Sequence, residues 1–214
     1  MDRIRDKMNK FSALTYDSIK EWLCQLLDSG ESDFLTDFIK LVFEKAAAEQ
    51  PFCALYAKLI TELCASFPHL DTELRRIFSE FITIFVEVRD APDVESAEYS
   101  AFLAHRERRK FRRGYSSFIG DIARLGVLQK ADVEKTSGII LDGLMTTKKE
   151  TGQQLLCEEY ADCLITLLRS CIDIMKPSIK PLLDRVLLAM DRSESPSLSN
   201  KARFSLMDIA DLYR

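Results

Sequence analysis

Arg106, Arg108, Arg109, Lys110, Arg112 and Arg113 crowd into one short run, with Glu107 as its single acid and Phe111 inside it. Guanidinium and ammonium groups neutralise phosphates and release their counterions, and an aromatic ring among them offers a face on which an unpaired base stacks. The chemistry suggested is therefore contact with RNA. On a helix, Arg106, Arg109 and Arg113 share one face, while Arg108 and Arg112 lie on a neighbouring one. The alternative is a solvated helix start paired with the acids that precede it, Asp90, Asp93, Glu95 and Glu98. Both readings stand at this level.

Two further segments carry residues suited to recognition. In Glu49-Gln50-Pro51-Phe52 a proline and a large apolar residue sit at a turn between helical stretches. Phe52 is either a hydrophobic staple or an exposed anchor for a partner. In the last segment, Lys201, Arg203 and Phe204 precede Asp208 and Asp211. The two aspartates share one helical face and Phe204 shares another with Met207. Lys201 and Arg203 stand at the start of that helix, where cations oppose the macrodipole. This hints at recruitment for a partner, against the plainer reading of a helix that closes the fold.

Catalysis fails on inventory. The chain has no glycine-rich phosphate loop, no GxSxG and no HExxH, and two histidines, His69 and His105, leave little for general-base work. Its carboxylates fall on predicted solvent faces. Six cysteines form no CxxC pair, so the usual zinc spacings cannot be assembled. They stand among apolar neighbours and read as small buried hydrophobes of a reducing, cytoplasmic compartment. No cofactor or metal is expected.

The net charge of −4 across 214 residues means that any RNA contact must come from a local patch. With 30% charged and 47% hydrophobic residues, a folded core is expected. No run approaches the roughly 18 apolar residues of a membrane span, and the alternating charges of residues 1–7 are unlike a secretory signal. A monomer without a membrane partner is expected.

The elements that must position these groups are helices. Phe34, Leu35, Phe38, Ile39, Val42, Phe43 and Ala46 recur at steps of three and four, as a one-sided apolar face requires. The spacing returns from Leu74 to Val88 and from Leu156 to Cys171. Helices are predicted near 2–10, 15–28, 33–48, 51–67, 71–88, 98–126, 131–147, 150–174, 178–192 and 199–213. Thr15 and the Ser18-to-Glu21 capping box compete for the second helix start. Helical hairpins of about 37–45 residues match HEAT or armadillo units. The expected architecture is an all-α, single-domain solenoid of about five antiparallel hairpins over residues 1–214, with a loop near 89–97 separating two sub-stacks.

Four words in order then carry a resemblance. Asn9-Lys10-Phe11 with Leu14-Thr15 comes first, followed by Phe43-Glu44-Lys45-Ala46 running through Glu49-Gln50-Pro51-Phe52 to Tyr56-Ala57. The third is Phe118-Ile119-Gly120-Asp121-Ile122 with Leu125, and the chain closes on Lys201-Ala202-Arg203-Phe204-Ser205-Leu206-Met207-Asp208 with Asp211 and Leu212. Together they resemble the middle domain of eukaryotic translation initiation factor 4 gamma, a HEAT-type scaffold, across nearly the whole chain. Gln50-Pro51 departs from that pattern by shifting the proline one position, and the linker after Val88 is shorter than in many members.

The resemblance implies a crescent of HEAT hairpins that binds and activates the DEAD-box RNA helicase factor 4A, with auxiliary RNA binding. It implies that Glu44, Lys45 and Phe52 lie near the contact with one helicase lobe. Lys201, Arg203, Phe204, Asp208 and Asp211 would lie toward the other. It favours RNA, specifically mRNA, at Arg106, Arg108, Arg109, Lys110, Arg112 and Arg113, and leaves room for further initiation factors. The competing readings are a related middle-domain adaptor in mRNA decay, splicing or nuclear cap binding, and a plain α-solenoid with no helicase partner.

Overall fold

The computed structural model describes residues 1–30, 33–86, 99–193 and 195–214, with the backbone alone for 99–102. Its helices are α1 (Asp2–Met8), α2 (Tyr16–Asp28), α3 (Leu35–Ala48), α4 (Cys53–Ser66), α5 (Pro68–Phe81), α6 (Tyr99–Arg124), α7 (Lys130–Thr147), α8 (Gln154–Ser170), α9 (Ile172–Met175), α10 (Lys180–Ala189) and α11 (Asn200–Leu212). There is no strand among the described residues. The expected loop at 89–97, and the division into sub-stacks placed there, lie outside them. Helices on either side of that segment nevertheless pack together, α3 and α4 both resting on α6.

The helices form two layers. In one, α4, α6, α8 and α11 follow one another side by side; in the other, α3 packs on α5 and α7 on α10. Across the layers α3 meets α6, α7 meets α8 and α10 meets α11. This is the all-α helical solenoid expected from the sequence. The apolar face read along α3 is the reason it sits between neighbours: Phe38, Ile39, Val42, Phe43 and Ala46 are all fully buried. Phe43 meets Tyr115 and Phe118 of α6 at ring-centroid separations of 5.7 and 5.1 Å, within the range where tilted and edge-to-face aromatic pairs are favourable.

Local chemistry explains several boundaries. Proline opens α5 at Pro68 and lies in the first turn of α10 as Pro181, where its missing N–H has no intrahelical partner to lose. Helix α2 starts after Thr15 rather than at the Ser18 box. The Thr15 hydroxyl accepts from the Ser12 amide at 2.9 Å and donates to the Lys10 carbonyl at 2.7 Å, so it pins the preceding turn. The predicted helix 71–88 ends as α at Phe81 and tightens into a 3₁₀ turn over Ile82–Phe85. Its β-branched Ile82, Thr83 and Ile84 are the poorer α-formers there. All six cysteines are free; Cys53, Cys157, Cys163 and Cys171 are buried, and Cys24 and Cys64 are half-buried.

Lys148 joins the last two hairpins. Its ammonium donates to the carbonyls of Leu188, Ala189 and Asp191 at 3.2, 3.3 and 3.2 Å, closing the C-terminal end of α10. Cations are favourable at that end of a helix dipole. The side chain is buried, and that burial pulls the lysine below its ordinary pKa. Lys148→Met is expected to leave those carbonyls short of a donor and to cost about 1–3 kcal/mol. A urea midpoint that falls at constant m would show it; an unchanged midpoint would mean the bonds contribute nothing.

Candidate protein and nucleic-acid interface

Helix α6 turns two faces to different surroundings. Arg106, Arg109, Lys110, Arg113 and Ser117 fall at helical spacing, and all of them line open clefts. Arg112 lies on the other side, buried against α8, where its Nε donates to Oε1 of buried Glu159. His105 stands beside the same carboxylate, its Nε2 3.9 Å from Oε2. Burial pushes the His105 imidazole down, ahead of the opposing pull of Glu159. This ion pair ties α6 to α8 inside the fold.

The expectation for Arg112 therefore needs correcting. Its side chain is 9% exposed and already committed to a carboxylate, so it cannot reach a phosphate outside without breaking a buried pair. Arg109 is engaged too, donating to Asp162 at 3.0 Å while remaining half-exposed. Arg106, Arg108, Lys110 and Arg113 are exposed and have no ion pair among the described residues. The acids that precede the run, Asp90, Asp93, Glu95 and Glu98, lie outside those residues. Tyr115, just past the basic run, is fully buried and unavailable for stacking, whereas Phe111 keeps part of its surface.

Helix α8 holds α11 by the same means. Lys201 reaches Glu158 at 3.0 Å and Asp162 at 3.7 Å. Ser199 caps α11 by accepting from the Ala202 amide at 3.2 Å, and its hydroxyl donates to Glu158 at 2.8 Å. Pairing with Lys201 and Ser199 draws the Glu158 carboxyl below its ordinary pKa against the opposing effect of burial. The cation at the start of α11 thus has an internal reason: the acids of α8 offset the dipole it opposes. At the far end, Tyr213 donates to the Leu168 carbonyl at 2.9 Å. The acidic stripe of α8, read from sequence as a solvated face, works as a two-sided clasp.

Phe204 is 61% exposed and Met207 39%. Asp208 and Asp211 are exposed on α11 as well. Arg203 is half-buried and its Nε has no partner among the described residues. In the α3–α4 turn, Phe52 is 37% exposed and Glu44 is exposed. Lys45 is held by Glu49 at 2.9 Å, and Glu49 also accepts from the Tyr56 hydroxyl at 2.8 Å.

One cleft brings the three segments together. A cavity of about 350 Å³ is lined by Gln50 of the α3–α4 turn, by Arg106, Arg109, Lys110 and Arg113 of α6, and by Lys201 of α11. Glu159 and Asp162 form part of its floor. The outward residues of α11 (Phe204, Asp208 and Asp211) are not among those that line it.

With that geometry in place, the comparison with known families is decisive. The model of the MIF4G domain matches residues 2–214. The chain belongs to the MIF4G domain family. It is also 27% identical over 216 residues to a von Willebrand factor A domain-containing protein of Dictyostelium discoideum, covering 99% of this chain but 10% of that much longer relative. The MIF4G family is one of helical scaffolds and adaptors. Among the described residues no group of three or more His, Cys, Asp or Glu side chains is arranged to hold a metal, and no helix is long and apolar enough to cross a membrane.

Within this MIF4G domain the words that carry the resemblance have packing reasons. At Gly120, a Cβ would fall 2.5 Å from Ser170 Cβ and 2.8 Å from the Leu167 carbonyl, so only glycine lets α6 and α8 approach this closely. Phe43 fills the junction between α3 and α6 described above. One cation escaped the sequence reading. Arg169 is exposed near the end of α8 and lines a second cleft with Arg113 and Gln50. The periodicity of α8 held the signal: Asp162, Thr166 and Arg169 fall opposite Cys163, Leu164, Leu167 and Leu168, but a lone arginine in a last helical turn also suits the helix dipole.

Proposed function

We propose that this MIF4G domain is an adaptor of translation initiation that binds the DEAD-box RNA helicase factor 4A and touches mRNA beside it. The observation that supports this most is the convergence, around one cleft, of the α3–α4 turn, the cationic face of α6 and the start of α11. Exposed aromatics flank these segments, Phe52 at 37% and Phe204 at 61% exposure. Large aromatic side chains left out of a core are the usual anchors of an interface. A helicase of two lobes needs a partner that touches both, and Phe52 and Phe204 offer one anchor in each of two well-separated parts of the chain. Asp208 and Asp211 add acidic contacts near the second anchor, while Glu44 and Lys45 flank the first.

The test is the RNA-stimulated ATPase of the initiation helicase, with and without this domain, alongside a binding titration. A several-fold stimulation supports an activating scaffold. Binding without stimulation points to a sequestering role, and binding only to helicases of decay or splicing moves the domain to another process. Phe52→Ala and Phe204→Ala are each expected to weaken helicase binding by about 1–3 kcal/mol. Both side chains are exposed, so the fold should hold; a folded variant with unchanged affinity would remove that residue from the interface.

A further inference from the structure

We infer that a single strand of RNA runs along α6 and ends on a phosphate-holding notch formed by Arg113 and Arg169. This rests on the reading that the domain binds RNA, and it names the path and a residue that the basic run does not contain. Three clefts lie in series. The first is lined by Arg108, Lys110 and Phe111 together with Ala48 and the acid Glu107; Lys110 is shared with the central cleft, which also holds Arg106 and Arg113. Arg113 and Gln50 are shared in turn with a third cleft, bounded by Arg169 and the side chains of Ser117, Thr166 and Ser170.

Charge accounting along this track favours a polyanion. Asp162 in the central cleft is matched by Arg109 at 3.0 Å and Lys201 at 3.7 Å, and Glu159 is matched by buried Arg112. Arg106, Arg108, Lys110, Arg113 and Arg169 have no ion pair among the described residues; set against them along the track is the exposed carboxylate of Glu107 in the first cleft, so cations remain in excess. Among the described residues no carboxylate lines the third cleft. Two guanidiniums there face a cluster of hydroxyls, with Ser117 Oγ 3.3 Å from Ser170 Oγ. Forked guanidiniums suit phosphate oxygens, and hydroxyls and amides supply further bonds.

A series of cations along a groove fits a chain of phosphates better than one isolated phosphate group. From Arg106 to Ser117 the path covers about 16 Å of helix at ordinary rise. The exposed part of Phe111 at the first cleft is what distinguishes a single strand from a duplex. A base can stack on that ring only if it is unpaired, as on other single-strand platforms.

The experiment titrates the domain with fluorescent oligouridylate at several salt concentrations, with an RNA duplex as competitor. Arg169→Ala is expected to weaken binding about fivefold or more and to flatten the plot of log affinity against log salt by about 0.7, the change for one lost phosphate contact on a single strand. Arg113→Ala should do the same, whereas Arg3→Ala, an exposed cation on α1, should change neither quantity. Arg169 and Arg113 are exposed and have no ion pair among the described residues, so melting curves should overlay and separate lost contacts from lost folding. Wild-type binding with Arg169→Ala indistinguishable from it overturns the path while RNA binding stands. No binding by the wild-type domain defeats the RNA reading itself. Equal competition by duplex overturns the single-strand assignment.

Discussion

Glu159→Ala should destabilise the domain by about 3–5 kcal/mol. The carboxylate is 2% exposed and accepts from Arg112, itself 9% exposed. Removing it leaves a guanidinium that cannot deprotonate, buried between α6 and α8 without a counter-charge. For a chain of this length each kcal/mol moves the midpoint by roughly 2–4 °C, so thermal melting should show a loss of about 10 °C. The pair itself contributes little beyond what an apolar pair of similar volume would, because desolvation offsets most of the attraction. Arg112→Met combined with Glu159→Leu is therefore expected to recover most of the stability. A double-mutant cycle with near-additive losses, or a cost below about 1 kcal/mol for Glu159→Ala, would show that the two charges are not coupled. The consequence reaches function, because α8 fixes both α6 and α11: a loosened α6–α8 seam moves the cationic face relative to Phe204.

How far the sequence discloses this arrangement differs by residue. The apolar face of α3 was legible because each element's own period records which side is buried, and Phe38, Ile39, Val42, Phe43 and Ala46 carry it without reference to any other helix. The resemblance extended this to family and fold, since Gly120 and Phe43 occur in words whose spacing is local. The division of labour within the basic run was not legible. Arg112 differs from Arg113 by one helical step, and what turns it inward is Glu159, which is 47 positions away and stands in a stripe that reads as solvated. Lys201 shows a related effect: its place against the dipole suggested an outside partner, whereas Glu158 and Asp162 of its own chain already offset that cost, while the side chain stays exposed. Long-range charge pairing leaves no periodic trace, so the sequence supplies the candidates and only the packing sorts them. Arg169 was missed for the complementary reason, since a single cation in a last turn has a sufficient local explanation.

Gly114→Ala is expected to cost about 3 kcal/mol, against the ordinary preference that makes alanine the better residue inside a helix by about 1 kcal/mol. The reason is the approach of α3 to α6. A Cβ at position 114 would lie 1.9 Å from the Ala47 carbonyl oxygen, 2.7 Å from its carbon and 3.0 Å from its Cα. All three atoms are backbone, so no rotamer relieves the clash and the two helices must separate, which is the expensive form of overpacking. Separation would also pull Phe43 away from Tyr115 and Phe118, the aromatic contacts at this junction. Gly138→Ala provides the comparison, because its Cβ would meet only Arg185 Nη1 at 3.9 Å. That variant should gain up to about 1 kcal/mol, so denaturant midpoints of the two should move in opposite directions. If both rise, the α3–α6 contact is more compliant than its geometry indicates. Ala47 stands just before the turn that carries Gln50 and Phe52, and Gly114 just after Arg113. The glycine therefore sets the distance between Phe52 and the cationic face, and on the proposed function a stable Gly114→Ala protein should still bind helicase and RNA less well.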